Sequence, residues 1–538
     1  MNVYERENIG FLAQYFVVGL IYGGLPATTY GVLAVYLNTP GYVYSAAEGM
    51  ATLPWAFKAF YGALHDMAPC RGYRRKPYMA IGWAACTFAL LVLASVGLPE
   101  PYWCTDEDGV YVTSCDEAHR GHSACGHSPF ATDPRTGKLK VVAANPCNAE
   151  AADAGGSVAI LMFFACLGYV CADVAADGLT VSYAQREPLE TRGRVQSTVY
   201  LVRSVGFICA VAVVGIGMNG KRYGGTFERS LSFEAVCALF ALPCAAMVPL
   251  SWFRVQEPLL VGRPSVRAYL RGTWGLLCSR FFFSVVAFSF IYSGIGSIVT
   301  PAGVGVQRYW AQVQNLQKQM FRIISQAVFA IGLAFTRRYL LNYSWRKLLV
   351  VTAVVTSLID ICFMYPTIFG LLRNQYFYLG EAFLTELPAA IQFVVTTFVV
   401  VEAAGKDNGG LVYGLLTTAH NIGLSFARPM ANQIFGTFRP SLSDSANFIE
   451  DSTSFRSLVM SSVLLSYGFT LLSLVALPLL PDQKSEAQER KRTWSSSTRV
   501  GWLNITLLGS TFLYSVSLTF LTMLPATACL KIVGGEGC

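Results

Sequence analysis

Charge is scarce in this sequence: only 13% of its 538 residues are Asp, Glu, Lys or Arg, and histidine occurs five times. So few charges cannot cover the surfaces of ordinary soluble domains. No G-x-x-x-x-G-K-[ST] phosphate loop is present, and no polar stretch has the length of a nucleotide-binding domain, which excludes the usual plan of an ATP-driven pump. What fills the chain instead is apolar, with 54% hydrophobic residues and a mean hydropathy of +0.45. Such a value follows when many segments of about 20 apolar residues, each able to cross a hydrocarbon core, occupy most of the length.

Reading for such segments predicts twelve membrane spans in two sets of six. The first set is Phe11 to Leu37, Tyr44 to Asp66, Pro77 to Leu98, Ser157 to Tyr183, Val195 to Met218 and Ser232 to Phe253. The second is Leu277 to Ala302, Leu316 to Phe335, Leu348 to Leu371, Tyr376 to Ala404, Leu411 to Gly436 and Ser457 to Leu480. A thirteenth span is predicted from Trp502 to Leu524. The first span is too long for a cleaved signal and reads as a signal anchor.

The expected organisation is a first six-helix bundle over 1–253, a basic linker over 254–276 with Pro258 and Pro264, a second bundle over 277–480, a charged tail over 481–501 and the extra helix over 502–524. The tail reads as a mobile or surface helical segment. Placing the amino terminus in the cytoplasm puts the excess of basic residues on the inner side. Equivalent basic clusters, Arg71, Arg74, Arg75 and Lys76 in one half and Arg337, Arg338, Arg346 and Lys347 in the other, imply an internal repeat. The fold class that follows is an all-α polytopic membrane protein of the major facilitator type, two six-helix bundles related by a pseudo-two-fold axis, with a site exposed alternately to either side.

The loop 99–156 is expected to face away from the cytoplasm and carries Cys104, Cys115, Cys125 and Cys147; Cys529 and Cys538 fall on the same side. Disulfides are the natural reading, with three connectivities open for the four loop cysteines and fifteen for all six. His119, His122 and His127 beside Cys115 and Cys125 form a competing, weaker pattern for a soft metal. The remaining cysteines lie in or near helices, where they read as small buried hydrophobes.

Charges inside the spans carry the chemistry, because an ionisable group at the bilayer centre costs roughly 3 kcal/mol or more unless it is paired or faces water. Lys58, Asp173, Asp177 and Arg203 lie roughly 9–15 Å from the inner helix ends at 1.5 Å per residue. Asp173 and Asp177 are one helical turn apart, so both carboxylates can face one cavity. The bland alternative is a buried network of two acids and two bases that only holds helices together. Glu386 and Arg428 also share a depth on neighbouring helices, roughly 26 Å from the inner end, and are expected to pair structurally. Glu381 sits nearer the outer rim.

Two stretches, Leu53 to Tyr78 (LPWAFKAFYGALHDMAPCRGYRRKPY) and Ala172 to Arg194 (ADVAADGLTVSYAQREPLETRGR), resemble the folate-biopterin transporters, with support from Gly19 to Tyr30 and Pro481 to Lys484. Where that family reads Lys-Pro-Leu-Tyr-Gly and Leu-Ser-Asp, this chain has Lys58-Ala59-Phe60-Tyr61-Gly62 and Leu64-His65-Asp66. Lys58 and Asp66 are kept; Ala59 and His65 depart.

The resemblance implies a folate or pterin as solute. Lys58 and Arg203 would then hold a glutamate tail, Asp173 or Asp177 would accept hydrogen bonds from a pterin edge, and Trp55 and Tyr61 would supply aromatic walls. Asp66, Arg74 and Arg75, at the inner end of the second span, are expected to latch helix ends in the outward-facing state and to separate as the halves rock. Positive-inside anchoring alone is the competing reading for the arginines.

The functional expectation is a secondary active transporter of folates or pterins in a lipid bilayer, coupled to protons through a buried carboxylate or run as an exchanger. The plasma membrane is the expected location, an organelle membrane the alternative. No cofactor and no enzymatic activity are expected. Two rivals stay open: another organic anion or a sugar on the same fold, and a polytopic membrane enzyme using His65 and Asp66 at the membrane edge.

Overall fold

The computed structural model describes residues 9–103, 130–132, 139–141, 146–184, 194–260, 265–340, 342–403 and 409–538. Cys104, Cys115, Cys125, His119, His122 and His127 lie outside the described residues. Helices sit where apolar runs predict spans, and serines close the starts of several. Ser232, Ser279, Ser344 and Ser452 each accept a hydrogen bond from a backbone N–H in the first turn of the helix that follows.

Ten helices among the described residues are long and apolar enough to cross a membrane. They comprise spans one, three to six, eight to ten, twelve and thirteen. The other three predicted spans are helical and depart for local reasons. The second is split into Gly41–Thr52 and Lys58–Met67 by a 3₁₀ segment over Leu53–Phe57, where Pro54 removes a backbone donor. The seventh, Arg280–Gly296, is short. The eleventh, Gly409–Phe435, is long but studded with Thr417, Thr418, His420, Asn421 and Arg428.

The fold is all-α in its membrane part and of the major facilitator type. The first half encloses one large apolar core and a smaller one, and the second half builds two more. A repeat is visible in the way corresponding spans end: the first runs into a π-helical segment over Tyr30–Tyr36, and the seventh is followed by another over Val306–Trp310. Outside the helices, Phe130–Thr132 pairs antiparallel with Leu139–Val141.

Of two segments between spans, one is more ordered than expected and the other takes the helical form of its two readings. The stretch 254–276, read as a linker, contains the helix Val266–Leu277, and Ser265 caps it by accepting from Ala268 N. The Ser265 cap directly after Pro264 was the available signal, masked by the density of Arg and Pro. The charged tail forms the helix Lys484–Thr493, fixed by Glu486 to Arg346 at 3.4 Å and to Arg490 at 2.5 Å.

At the face opposite the amino terminus the halves are joined by hydrogen bonds. Arg308, buried between them, donates from Nη1 to Asn38 Oδ1 (2.8 Å) and from Nη2 to the Val35 carbonyl (2.9 Å), while Tyr309 donates to Asn38 Oδ1 (2.6 Å). Gly41 N donates to the Ser443 carbonyl, and Asn432 to the Tyr42 carbonyl. Among the described residues, hydrogen bonds between the two sets of spans run from this face inward as far as Ala59 and Thr418. Cys529 and Cys538 are bonded to each other, which removes the pairing of either with the loop cysteines; Cys147 is also in a disulfide.

The thirteenth span, Thr498–Met523, packs along the seam and touches both halves. Phe512 meets Phe57 at 4.8 Å and Phe60 at 5.6 Å, Phe520 meets Phe163 at 5.4 Å, and Tyr514 meets Phe426 at 5.2 Å.

Candidate substrate site between the two halves

Close helix packing sets the site. In the first and fifth spans, a Cβ on Gly19 would stand 2.0 Å from the Arg203 carbonyl oxygen, and one on Gly206 would stand 2.1 Å from that of Phe16. Only glycine lets these backbones meet, and the contact fixes Arg203 beside the first span. The fourth span, Ala154–Ala184, is unbroken and presents Asp173 and Asp177 on one face. The break in the second span aims Trp55 and Lys58 at them, and its backbone is satisfied by the second half. Asn421 donates to the Trp55 carbonyl (3.2 Å), and Ala59 N donates to Thr418 Oγ1 (3.0 Å).

The four expected charges and Trp55 come together. Lys58 Nζ lies 2.6 Å from Asp177 Oδ2, and Tyr15 donates to Asp177 Oδ1 at 3.2 Å. Arg203 Nη1 is 4.0 Å from Asp173 Oδ1. Trp55 stands between the two cations, with Lys58 Nζ 5.1 Å and Arg203 Cζ 5.3 Å from its ring, and it donates to Tyr169 at 3.2 Å. Tyr22 lies 4.8 Å from Arg203 Cζ, and its ring is 6.0 Å from Trp55 and 5.9 Å from Phe207.

The two acids differ. Asp177 is hydrogen-bonded on both oxygens, whereas Asp173 is 0% exposed and neither oxygen has a hydrogen bond among the described residues. A buried carboxylate without hydrogen bonds depends on nearby charge, here Arg203 first and Lys58 beyond it.

Tyr61 does not join this group. Its hydroxyl donates to the Leu167 carbonyl at 3.3 Å and its ring stacks on His65. The expected pairing of Glu386 with Arg428 is also absent. Arg428 reaches across to the first half, donating to the Ser45 carbonyl (2.9 Å) and to Glu48 Oε2 (3.4 Å), while Tyr44 donates to Glu48 Oε1 (2.9 Å). Equal depth on adjacent helices says nothing of azimuth, and Arg428 points at the other half.

At the inner end of the second span Arg75 Nη2 is 3.5 Å from Asp66 Oδ1. The pair lies within one half and is formed while the opposite face is joined by hydrogen bonds. Glu257, from the segment after the sixth span, accepts from the backbone N–H groups of Arg74 (3.0 Å), Arg75 (3.1 and 3.2 Å) and Lys76 (3.0 Å). This carboxylate caps the third span and complements its dipole. Arg74 contributes its backbone to that cap.

Sequence reasoning missed Tyr15, Tyr22, Thr418 and Asn421, which are neutral and leave no hydropathy anomaly. It also missed Glu48, Lys318 and Arg322, whose charges within predicted spans were a legible signal.

A model of the BT1 family matches residues 24–100. The likeness to the folate-biopterin transporters is thereby shown over that stretch. The matched stretch holds Trp55, Lys58, Tyr61, Asp66, Arg74 and Arg75 and ends before Asp173, Asp177 and Arg203. No curated protein matches the chain in sequence. Among solved structures, the D-xylose-proton symporter is similar with a TM-score of 0.57 at 10% identity, covering 88% of this chain and 97% of that one. A bacterial homologue of the human lysosomal transporter Spinster, inward-facing and occupied, gives 0.55 at 9%, with 91% and 98% covered. The nucleoside transporter NupG, in a mutant form, gives 0.53 at 12%, with 88% and 100% covered. These likenesses carry the fold, and fold and BT1 match together support a multi-pass membrane transporter of small molecules.

Proposed function

We propose that this chain is a secondary carrier of folates or pterins that works by alternating access between its two halves. The observation that carries the reading is Trp55 held between Lys58 and Arg203 with Asp173 and Asp177 behind them, at the break in the second span within the BT1-matched stretch. A pterin is a flat heteroaromatic with adjacent N–H donors. Stacking on Trp55 and Tyr22 and donation to a carboxylate suit it, and cations suit the carboxylates of a folate tail.

Asp173 supports proton coupling. When a bound solute draws Arg203 away, Asp173 loses its nearest compensating charge, Lys58 being held by Asp177, and a proton can neutralise it. Asp66, Arg74 and Arg75 with Glu257 make a rigid inner corner of the first half about which the halves rock.

Uptake of labelled folate, reduced folate and biopterin into vesicles bearing the protein, with and without an imposed proton gradient, tests the reading. Saturable accumulation of a folate or pterin that grows with the gradient is expected. Transport of a sugar or an unrelated organic anion alone would replace the solute and keep the carrier.

A further inference from the structure

The second half sends two cations into the space between the halves with no acid to meet them. Lys318 and Arg322 are four residues apart on the eighth span, Asn315–Phe335, and so share a face. Both point at the first half. Lys318 Nζ lies 4.2 Å over the Tyr30 ring and donates to Gln307 Oε1 at 3.3 Å; Arg322 Cζ lies 5.1 Å over the Phe207 ring. Among the described residues neither forms an ion pair, and Arg322 makes no hydrogen bond. The acid in their neighbourhood, Glu48, is already held by Arg428 and Tyr44. A guanidinium and an ammonium within a membrane span persist only where water or an anion supplies the missing partner.

Their place relative to the first-half cluster is set by rings. Phe207, under Arg322, is 5.9 Å from Tyr22; Tyr22 lies under Arg203 and beside Trp55. A path of aromatic surface thus leads from Trp55, with its two acids, to Arg322 and Lys318.

We propose that Lys318 and Arg322 form an anion subsite for the carboxylates of an extended aromatic solute whose ring rests at Trp55 and Tyr22. The proposal rests on the folate or pterin reading for the ring and assigns the anionic end to the second half. Lys58 is committed to Asp177 at 2.6 Å, so Arg322, with five donors and neither an ion pair nor a hydrogen bond among the described residues, is the better receptor for a carboxylate. A solute carrying both a ring and carboxylates bridges the halves; a ring alone engages only the first.

The test uses the full chain in lipid nanodiscs and equilibrium binding of three probes: folate, biopterin, which has no carboxylate, and 4-aminobenzoylglutamate, an aromatic dicarboxylate without a pterin. The dicarboxylate is expected to bind the unaltered protein. Arg322→Gln should weaken it by about tenfold or more, Lys318→Gln by less, and Arg322→Lys should restore part of the loss, with biopterin changed by less than about twofold. Failure of the dicarboxylate to bind, equal binding to Arg322→Gln, or a parallel loss of biopterin would each overturn the subsite. Arg322-dependent binding of the dicarboxylate, with no binding of folate or biopterin, would keep the subsite and remove the folate reading. Folate and biopterin binding untouched by Arg322→Gln would do the reverse.

Discussion

Lys58 and Asp177 make a 2.6 Å ion pair across the second and fourth spans, while Arg203 and Asp173, one turn away, stand 4.0 Å apart. One pair is closed and the other is stretched, which assigns them different work.

The closed pair predicts a rescue. Lys58→Met and Asp177→Asn each leave a partner uncompensated, and each should lower stability in detergent by about 3 kcal/mol. The double variant should melt near the unaltered protein. If it also recovers uptake, the pair is a helix tie; if folding returns without uptake, the pair belongs to the solute site. Both are read by thermal melting alongside vesicle uptake.

The stretched pair predicts a separation of exchange from accumulation. Asp173→Asn keeps the side-chain volume and removes the titrating group, so counterflow exchange should persist while accumulation driven by pH is lost. Asp177→Asn should impair both. Gradient-driven accumulation retained in Asp173→Asn would take the proton away from that residue.

Glu257 should be worth more than its half-buried place at a helix start suggests. Glu257→Ala removes the acceptor for three successive N–H groups at the start of the third span, with an expected cost of roughly 1–2 kcal/mol. Glu257→Gln should recover a part through its amide oxygen. The comparison is made by melting at low and high salt, since the charge component is screened.

On the face opposite the amino terminus, Asp451 is gripped by Arg373 at 2.6 and 2.9 Å and by Arg456 at 2.6 and 2.8 Å. Burial works to raise its pKa, and the hydrogen bonds and charges of the two arginines outweigh it, so the carboxyl is held below its ordinary value. A depressed folded-state pKa means that the stabilisation is fully present above the ordinary carboxylate value of about 3.9 and is lost as pH falls through the lower folded value. Melting temperature followed downward from neutral pH should therefore drop less in Asp451→Asn than in the unaltered protein, from a lower start. Parallel curves would show that Asp451 carries none of the acid sensitivity.

The membrane fold was legible because a bilayer demands long apolar helices and tolerates little else. The break in the second span was less so, since Pro54 can also begin an unbroken helical segment. The charged members of the site could be read because charge in a span is costly; Tyr15, Tyr22, Thr418 and Asn421 could not, because hydroxyl, amide and aromatic groups are ordinary there. Which acid met which base depended on helix rotation. Depth alone paired Arg428 with Glu386, when the side chain crosses instead to Glu48 and Ser45.

The thirteenth span has a consequence in the plane of the membrane. With Phe512 on Phe57 and Phe60, Phe520 on Phe163 and Tyr514 on Phe426, the flank it covers is faced with protein instead of lipid tails. The molecule is therefore lopsided. If the halves tilt as proposed, these aromatic contacts are the ones that must shift on this flank, and an opening towards the lipid is expected on the uncovered side.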